Sequence, residues 1–169
     1  MYSICNFIEN AIKFLKMKMK IAYWKIKYGK RIKIGKKLHF RKGLNINIAK
    51  DGYLEIGKNN FFNNYCSINC RHKVIIGDNN LFGENVKIYD HNHVFNDKTI
   101  DMRYSYNEHE IIIGNNNWVS ADVIFLSKTK LKDNNVIGAK TIINEEYDSE
   151  NIIKSERNKS IKKIKYIGE

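Results

Sequence analysis

The sequence predicts an all-β solenoid of parallel coils, with a helix before it and a short tail after it. Three observations predict this fold: an apolar residue at every sixth position, asparagine pairs that recur at one place in that period, and a single long interruption. A helical face would repeat every 3.6 residues and an alternating strand every two. A period of six instead turns one apolar side chain inward from each short strand, so that three strands complete a coil.

The apolar period is unbroken in the last part of the solenoid. Here the inward positions are Ile113, Val119, Phe125, Leu131, Ile137 and Ile143. Shorter sets precede them and are separated by shifts in phase that indicate longer corners: Ile34, Phe40 and Ile46, then Ile56, Phe62 and Ile68, then Ile76, Phe82 and Ile88. Small residues follow three inward positions, at Gly114, Ser120 and Gly138, where we expect the backbone to turn tightly.

Asparagine pairs mark one corner of the coil. The segments IGKNN, IGDNN, IGNNN and LKDNN, which start at Ile56, Ile76, Ile113 and Leu131, place the pair at the same offset from an inward residue. Asparagine is the non-glycine residue that best tolerates a left-handed backbone, so these pairs predict turns. A compositional bias toward asparagine would not fix this register.

Composition and charge limit the class of protein. The chain has 169 residues, enough for one domain with terminal arms, and 30 Lys and Arg against 18 Asp and Glu give a formal charge of +12. Such a charge suits nucleic acid, an anionic membrane surface or a phosphate-bearing small molecule. Basic and aromatic residues do not interleave as in nucleic-acid motifs, so we expect no nucleic-acid partner.

Cysteine usage and the apolar runs predict the compartment. Cys5, Cys66 and Cys70 are odd in number, which favours reduced thiols. Lysines interrupt every apolar run after Ile12, so we expect neither a signal peptide nor a transmembrane span. The predicted location is cytoplasmic, either free or at the inner face of the membrane.

The chain divides into three predicted parts. Residues 1–28 form a basic amphipathic helix, residues 29–146 the solenoid with a loop at 89–110, and residues 147–169 a tail with a final strand and a short helix. Two roles for the helix stay open. It is either a cap on the open end of the solenoid or an attachment to an anionic membrane surface.

The interruption carries the candidate chemistry. Its first residues read IYDHNHVFND, and because alternate residues of an extended chain face the same side, His91 and His93 are expected to point into one cleft. A long loop inside a regular solenoid is usually functional. Asp90 is the carboxylate nearest in sequence and a candidate to orient an imidazole.

These segments resemble a known family. IYDHNH followed by IGNNNWVS, together with FFNNY, resembles the hexapeptide-repeat acyltransferases with a left-handed parallel β-helix, and among them the galactoside, maltose and polysaccharide sugar O-acetyltransferases. Handedness comes from this resemblance alone, because parallel crossovers are generally right-handed. The match places His93 on the catalytic base and Asn64 on a residue that holds the acceptor. Tyr89 is a second predicted acceptor contact.

The resemblance also implies a donor and an assembly. Acetyl-CoA would lie between adjacent subunits of a homotrimer, without a metal, and a backbone N–H near Ala121 would stabilise the oxyanion. The predicted donor contacts are Trp118, Ser120, Ala121, Ala139 and Lys140. Two departures stand out: Ser120 replaces a usual glycine, and the segment Ser155–Lys159 has Arg157 where the family has proline.

The predicted function is acetyl transfer to a sugar of a surface polysaccharide, either capsule or lipopolysaccharide, or to its precursor. An imidazole suits the removal of a proton from a sugar hydroxyl at neutral pH. Amino-sugar N-acetyltransferases and serine acetyltransferases are the alternatives within the same family. A γ-type carbonic anhydrase, which would draw on further histidines such as His39, His72 and His109, and a non-catalytic scaffold are the alternatives outside it.

Overall fold

A computed structural model describes residues 2–155, with side chains described from residue 5 onward. It begins with helix α1 (Tyr2–Tyr28) and a 3-10 turn (Gly29–Arg31). Nineteen short strands follow. In chain order they are β1 (Ile32–Ile34), β2 (His39–Phe40), β3 (Asn45–Ile48), β4 (Tyr53–Ile56), β5 (Phe61–Phe62), β6 (Ser67–Cys70), β7 (Lys73–Ile76), β8 (Leu81–Phe82), β9 (Lys87–Tyr89), β10 (His91–His93), β11 (Tyr106–Glu108), β12 (Ile111–Ile113), β13 (Trp118–Val119), β14 (Ile124–Phe125), β15 (Lys130–Leu131), β16 (Val136–Ile137), β17 (Ile142–Ile143), β18 (Glu146–Tyr147) and β19 (Ile152–Ile153).

Three parallel sheets wind into a β-solenoid. Sheet A contains β1, β4, β7, β12, β15 and β18, sheet B contains β2, β5, β8, β13, β16 and β19, and sheet C contains β3, β6, β9, β14 and β17. Each coil adds one strand to each sheet, with the last coil described only as far as sheet B. The antiparallel pair β10–β11 stands outside these sheets.

The inward residues of the six-residue period form the core, which confirms the predicted solenoid. Phe62, Phe82 and Phe125 have no exposed surface, and the rings of Phe62 and Phe82 stack with centroids 4.4 Å apart. The first coil is the exception, because Ile34 and Phe40 are only partly buried where the solenoid ends. The phase shifts coincide with the longer corners at 49–52 and 71–72.

The asparagine corners are turns, as predicted, and they also form a buried ladder. The first residue of each pair is left-handed, with φ from 56° to 60° at Asn59, Asn79, Asn116 and Asn134. The second residue points inward. Its side-chain oxygen accepts the backbone N–H one coil further on, in four successive bonds: Asn80 to Asn60, Asn117 to Asn80, Asn135 to Asn117 and Asn151 to Asn135, all 2.8–2.9 Å.

The glycine prediction was wrong about the cause. Gly114 does not have a positive φ; the left-handed residue of that corner is Asn116. A Cβ on Gly114 would lie 2.9 Å from the carbonyl carbon of Lys132 in the next coil. Glycine is needed here because two coils approach closely.

The solenoid extends past the predicted boundary at 146. Strands β18 and β19 pair in parallel with β15 and β16 and begin a sixth coil, although the apolar spacing fails after Ile143. Tyr147 and Ile153 pack against the core six residues apart, after a shift in phase that follows Ile143. The helix predicted near the chain end, and the tail residues Arg157 and Lys159, lie outside the described residues.

Helix α1 closes the first coil with one of its faces. Met17, Trp24 and Tyr28 are buried, the Trp24 ring lies 5.4 Å from that of Phe40, and the Tyr28 hydroxyl donates to the carbonyl of Ile46 at 2.9 Å. The helix therefore caps the open end of the solenoid. Its opposite face is exposed.

Candidate active site

The predicted loop at 89–110 is built on a hairpin that leaves the corner between sheets C and A. Strands β10 and β11 pair antiparallel, with His91 opposite Glu108 and His93 opposite Tyr106. Both imidazoles contact the Tyr106 ring, at centroid distances of 5.5 Å for His91 and 4.6 Å for His93. The hairpin thus brings the two histidines to one side, as their spacing predicts.

Asp90 is the buried anchor of this hairpin. Its carboxylate has no exposed surface and accepts the backbone N–H groups of Arg71 and His72 at 2.8–3.0 Å. His91 Nδ1 lies 2.9 Å from Asp90 Oδ1. Because the carboxylate only accepts, Nδ1 of His91 carries the proton and Nε2 is left as an acceptor. Asp90 therefore orients His91 and not His93.

His93 is held differently. Its side chain is exposed, and Nδ1 lies 2.7 Å from the carbonyl oxygen of Met102, which fixes the same tautomer. A neutral carbonyl stabilises an imidazolium less than a carboxylate does. Of the two histidines, His91 has the arrangement of an oriented general base.

Three residues of this site escaped the sequence reasoning. The guanidinium of Arg71 stacks 3.5 Å from the centroid of the Tyr106 ring, and its Nε donates to Glu108 Oε1 at 2.8 Å. Alternation in RYSYNEHE indicates the strand that carries Tyr106 and Glu108. No local pattern indicates Arg71, because it comes from the preceding coil.

The predicted acceptor and donor residues form a second cluster, at the corner between sheets B and C. Asn64 Nδ2 donates to Glu84 Oε1 at 2.9 Å, and the N–H of Lys140 donates to the carbonyl of Ala121 at 3.0 Å. Ser120 and Ala139 lie in the same stack of corners. Within residues 2–155, no backbone acceptor faces the N–H of Ala121. Glu84 is a further residue that the sequence did not indicate.

Two predicted residues lie on strands. Trp118 points outward from sheet B with 53% of its surface exposed, in register with Leu81 on one side and Val136 on the other. Tyr89 is the last residue of β9 and is partly buried. Tyr89 therefore directly precedes Asp90 and the histidine hairpin in the chain, whereas Trp118 flanks the second cluster.

One copy of the chain does not bring the two clusters together. The strand of sheet C lies between them, and from residue 84 to residue 90 an extended backbone spans on the order of 15–20 Å. Both clusters can serve one reaction if they meet across a contact between copies.

Over residues 2–155 of one copy, no three His, Cys, Asp or Glu side chains are grouped to hold a metal ion. Cys66 and Cys70 are buried free thiols. Burial raises the pKa of both thiols, and at Cys70 the charge of Asp90 raises it further.

Comparisons with solved structures support the fold. The hexapeptide-repeat acetyltransferase VCA0836 of Vibrio cholerae superposes with a TM-score of 0.64 at 17% identity, covering 88% of this chain and 81% of that one. Its complex with acetyl coenzyme A gives 0.53 at 15%, covering 88% and 78%. A variant of AntD, an N-acyltransferase from Bacillus cereus in complex with dTDP and coenzyme A, gives 0.54 at 15%, covering 71% of each chain.

Those likenesses confirm the predicted fold class, a left-handed parallel β-helix of hexapeptide repeats with an N-terminal helix. At such identities the likeness extends to the fold alone. No protein-family model and no curated sequence matches this chain.

Proposed function

We propose that this protein is an acyltransferase that moves the acetyl group of acetyl-CoA to a sugar hydroxyl. The observation that carries the proposal is the buried Asp90 bonded to His91 at the root of the only hairpin described on a hexapeptide solenoid. The solved neighbours support the donor class, since one of them holds acetyl coenzyme A and another coenzyme A. The resemblance to galactoside and maltose O-acetyltransferases supports the acceptor class.

In the proposed reaction His91 replaces His93 as the base. His91 Nε2 removes the hydroxyl proton as the acceptor oxygen attacks the thioester carbonyl, and Asp90 stabilises the imidazolium that forms. The C–S bond then breaks, the new C–O ester bond remains, and the imidazolium returns the proton to the CoA thiolate. His93 lines the acceptor side together with Tyr106.

The second cluster supplies the donor side in this proposal. The N–H of Ala121, which has no backbone acceptor within residues 2–155, stabilises the oxyanion of the tetrahedral intermediate. Trp118, Ser120, Ala139 and Lys140 line the path of the pantetheine and its phosphates. A homotrimer would place this corner of one copy against the histidine hairpin of the next. The two clusters, which lie apart within one chain, would then meet.

On the acceptor side we propose Asn64 and Tyr89 as contacts to the glycan. The favoured acceptor is a surface-polysaccharide sugar or its precursor. The second candidate acceptor is an amine, because the neighbour AntD is an N-acyltransferase on the same fold. An amino sugar and its hydroxyl analogue, compared as acceptors, would separate the two.

We also place the enzyme at the inner face of a membrane. No helix within residues 2–155 is long and apolar enough to cross a bilayer. However, an exposed apolar stripe runs along α1 on the side opposite Trp24 and Tyr28, at Ile8, Ile12, Leu15, Met19 and Ile26. Lysines flank it on both sides, Lys16 and Lys27 on one and Lys18 and Lys25 on the other, as in helices that lie on anionic lipid.

Vesicle sedimentation tests the membrane placement. The protein should bind phosphatidylglycerol vesicles in a salt-sensitive way and bind phosphatidylcholine weakly. Leu15→Asn with Met19→Asn should abolish the binding, while Ile152→Asn, a change at an even more exposed apolar residue on the solenoid, should not. Equal loss in both variants would contradict this role, as would vesicle-independent self-association through the stripe.

The transferase itself is tested by calorimetry and by release of the CoA thiol. Acetyl-CoA should bind saturably, and thiol release should depend on a glycan acceptor and on His91. Binding without any acceptor-dependent release across a panel of sugars, amines and serine would contradict acyl transfer.

A further inference from the structure

A basic cleft lies between the N-terminal half of α1 and the first two coils. Its volume is about 960 Å³, at the upper end of the range for small-molecule sites. The helix touches the solenoid through Met17 and the residues after it, so the turns before Met17 form one wall. Asn64 is among the residues that line the cleft.

The cleft wall carries cations without carboxylates. The cations that line it are Lys13, Lys16, Lys20, Arg41 and Lys42, and no Asp or Glu is among the lining residues described. The nearest acidic contacts lie outside: Glu9 pairs with Lys13 at 3.4 Å, where both are exposed, and Glu84 is bonded to Asn64. A concave surface of one sign attracts the opposite charge.

Lys20 is a partly buried cation of the cleft wall. Its ammonium donates to the carbonyl of Leu44 and lies 5.1 Å from the Trp24 ring centroid, and the ion pairs described do not include it. Burial lowers the pKa of Lys20, which means that the charged form is poorly solvated there. A bound anion would offset that loss.

The wall also has an apolar part. Phe14 is half exposed on the helix, and Phe40 of β2 is partly buried beside Met17. Free phosphate makes no use of such a surface. The lining therefore fits a ligand with an anionic and an apolar portion.

We propose that this cleft binds an organic diphosphate that carries an apolar chain. The diphosphate lies on Lys20, Arg41 and Lys42, and the chain runs along Phe14 and Phe40. If the protein has the acyltransferase function proposed above, the cleft holds the diphosphate carrier of the acceptor glycan, because Asn64, the proposed glycan contact, is among its lining residues. The binding itself does not depend on that function.

Calorimetry with farnesyl diphosphate as the probe tests the cleft on the full-length protein. Arg41→Gln with Lys42→Gln should weaken binding by about tenfold or more, and Lys20→Gln should do the same, because each removes a charge-assisted hydrogen bond. Lys36→Gln with Lys50→Gln is the matched control, since it removes two exposed charges from the same coil outside the cleft. This control should stay within about twofold of the wild type.

Ligand controls identify the source of the diphosphate. Pyrophosphate and farnesol should each bind far more weakly than farnesyl diphosphate, and acetyl-CoA should not compete. Equal binding of pyrophosphate, equal loss in the control variant, or no saturable binding would overturn the proposal. Competition by acetyl-CoA would overturn it too, by assigning these cations to the donor.

Failure of the cleft and failure of the transferase are distinguishable. His91→Asn should leave farnesyl diphosphate binding unchanged while thiol release falls. If the probe binds as expected but no variant or acceptor gives thiol release, the cleft stands and the transferase proposal fails.

Discussion

At the residue scale, the two histidines differ in what faces their Nδ1 atoms. The carboxylate of Asp90 faces His91 and the carbonyl of Met102 faces His93. Both rings therefore present Nε2 as an acceptor. When either ring takes a proton, only the His91 imidazolium faces a buried negative charge, that of Asp90. This difference is the reason that we propose His91 as the base, a choice that the spacing of two leaves open.

Asparagine substitutions at the two histidines separate their roles. His91→Asn should lower kcat by roughly 10²–10⁴-fold, because asparagine does not act as a base. His93→Asn should cost far less, and acetyl-CoA affinity should stay near the wild-type value in both. If His91→Asn leaves kcat unchanged while His93→Asn is inactive, His93 is the base. An equal, large fall of kcat in both variants would indicate a shared role such as a relay.

The three cysteines should differ in reactivity. Cys5 is exposed on α1, whereas Cys66 and Cys70 donate to carbonyls inside the solenoid. Burial raises the pKa of the two inner thiols, so the reactive thiolate stays scarce up to about pH 9, where an ordinary thiol near pKa 8.5 is largely ionised. A thiol reagent should modify one cysteine per folded chain at pH 9 and all three in denaturant. Rapid modification of all three in native protein would contradict the described core.

At the element scale, α1 has two faces with separate roles. Trp24 is 2% exposed against the first coil, while Ile26 is 84% exposed on the other side. The cap and the membrane attachment, which the sequence presents as alternatives, therefore do not compete for the same residues. The cap is described by direct contacts, and the attachment is a proposal about the free face.

Alanine substitution should distinguish the two faces by stability. Trp24→Ala should lower the free energy of unfolding by roughly 3–5 kcal/mol, because it removes a large buried side chain from the end of the solenoid. Ile26→Ala should change it by about 0.5 kcal/mol or less. Urea titrations at equal protein concentration measure both. A small loss at Trp24 would mean that the helix is dispensable as a cap.

At the scale of the whole molecule, the proposed site requires a contact between copies. The cluster around Asn64 and Ala121 occupies the corner of the solenoid between sheets B and C. Asp90 and His91 occupy the corner between sheets C and A. A solenoid of six coils also gains stability from buried subunit surface. Both considerations favour the trimer that the family resemblance implies.

Mixed oligomers test the shared site. His91→Asn and Asn64→Ala should each be impaired alone, and a mixture assembled after joint refolding should recover part of the activity, because some interfaces receive both intact clusters. Light scattering should give a trimer at micromolar concentration. A stable monomer, or no recovery in mixtures of folded variants, would contradict a site between copies.

The sequence predicts the fold far better than the site because the two have different ranges. The six-residue period is a local property, so Ile113 to Ile143 indicates the coils without any knowledge of their neighbours. The site depends on the stacking of coils, which brings Arg71 and the backbone of His72 to Asp90. The sixth coil escaped prediction because the period shifts in phase after Ile143: Tyr147 follows it by four residues, and Ile153 then resumes the spacing of six.

Mass spectrometry of surface glycans tests the central claim most directly. In cells that lack the gene, the surface glycans should lose one acetyl group per modified sugar. The wild-type gene should restore that acetyl group. A gene with His91→Asn should not restore it, although the protein accumulates, while one with Lys36→Gln and Lys50→Gln should. Unchanged glycan acetylation in the deletion strain, or full restoration by the His91→Asn protein, would contradict the proposal that this solenoid is a His91-dependent sugar O-acetyltransferase.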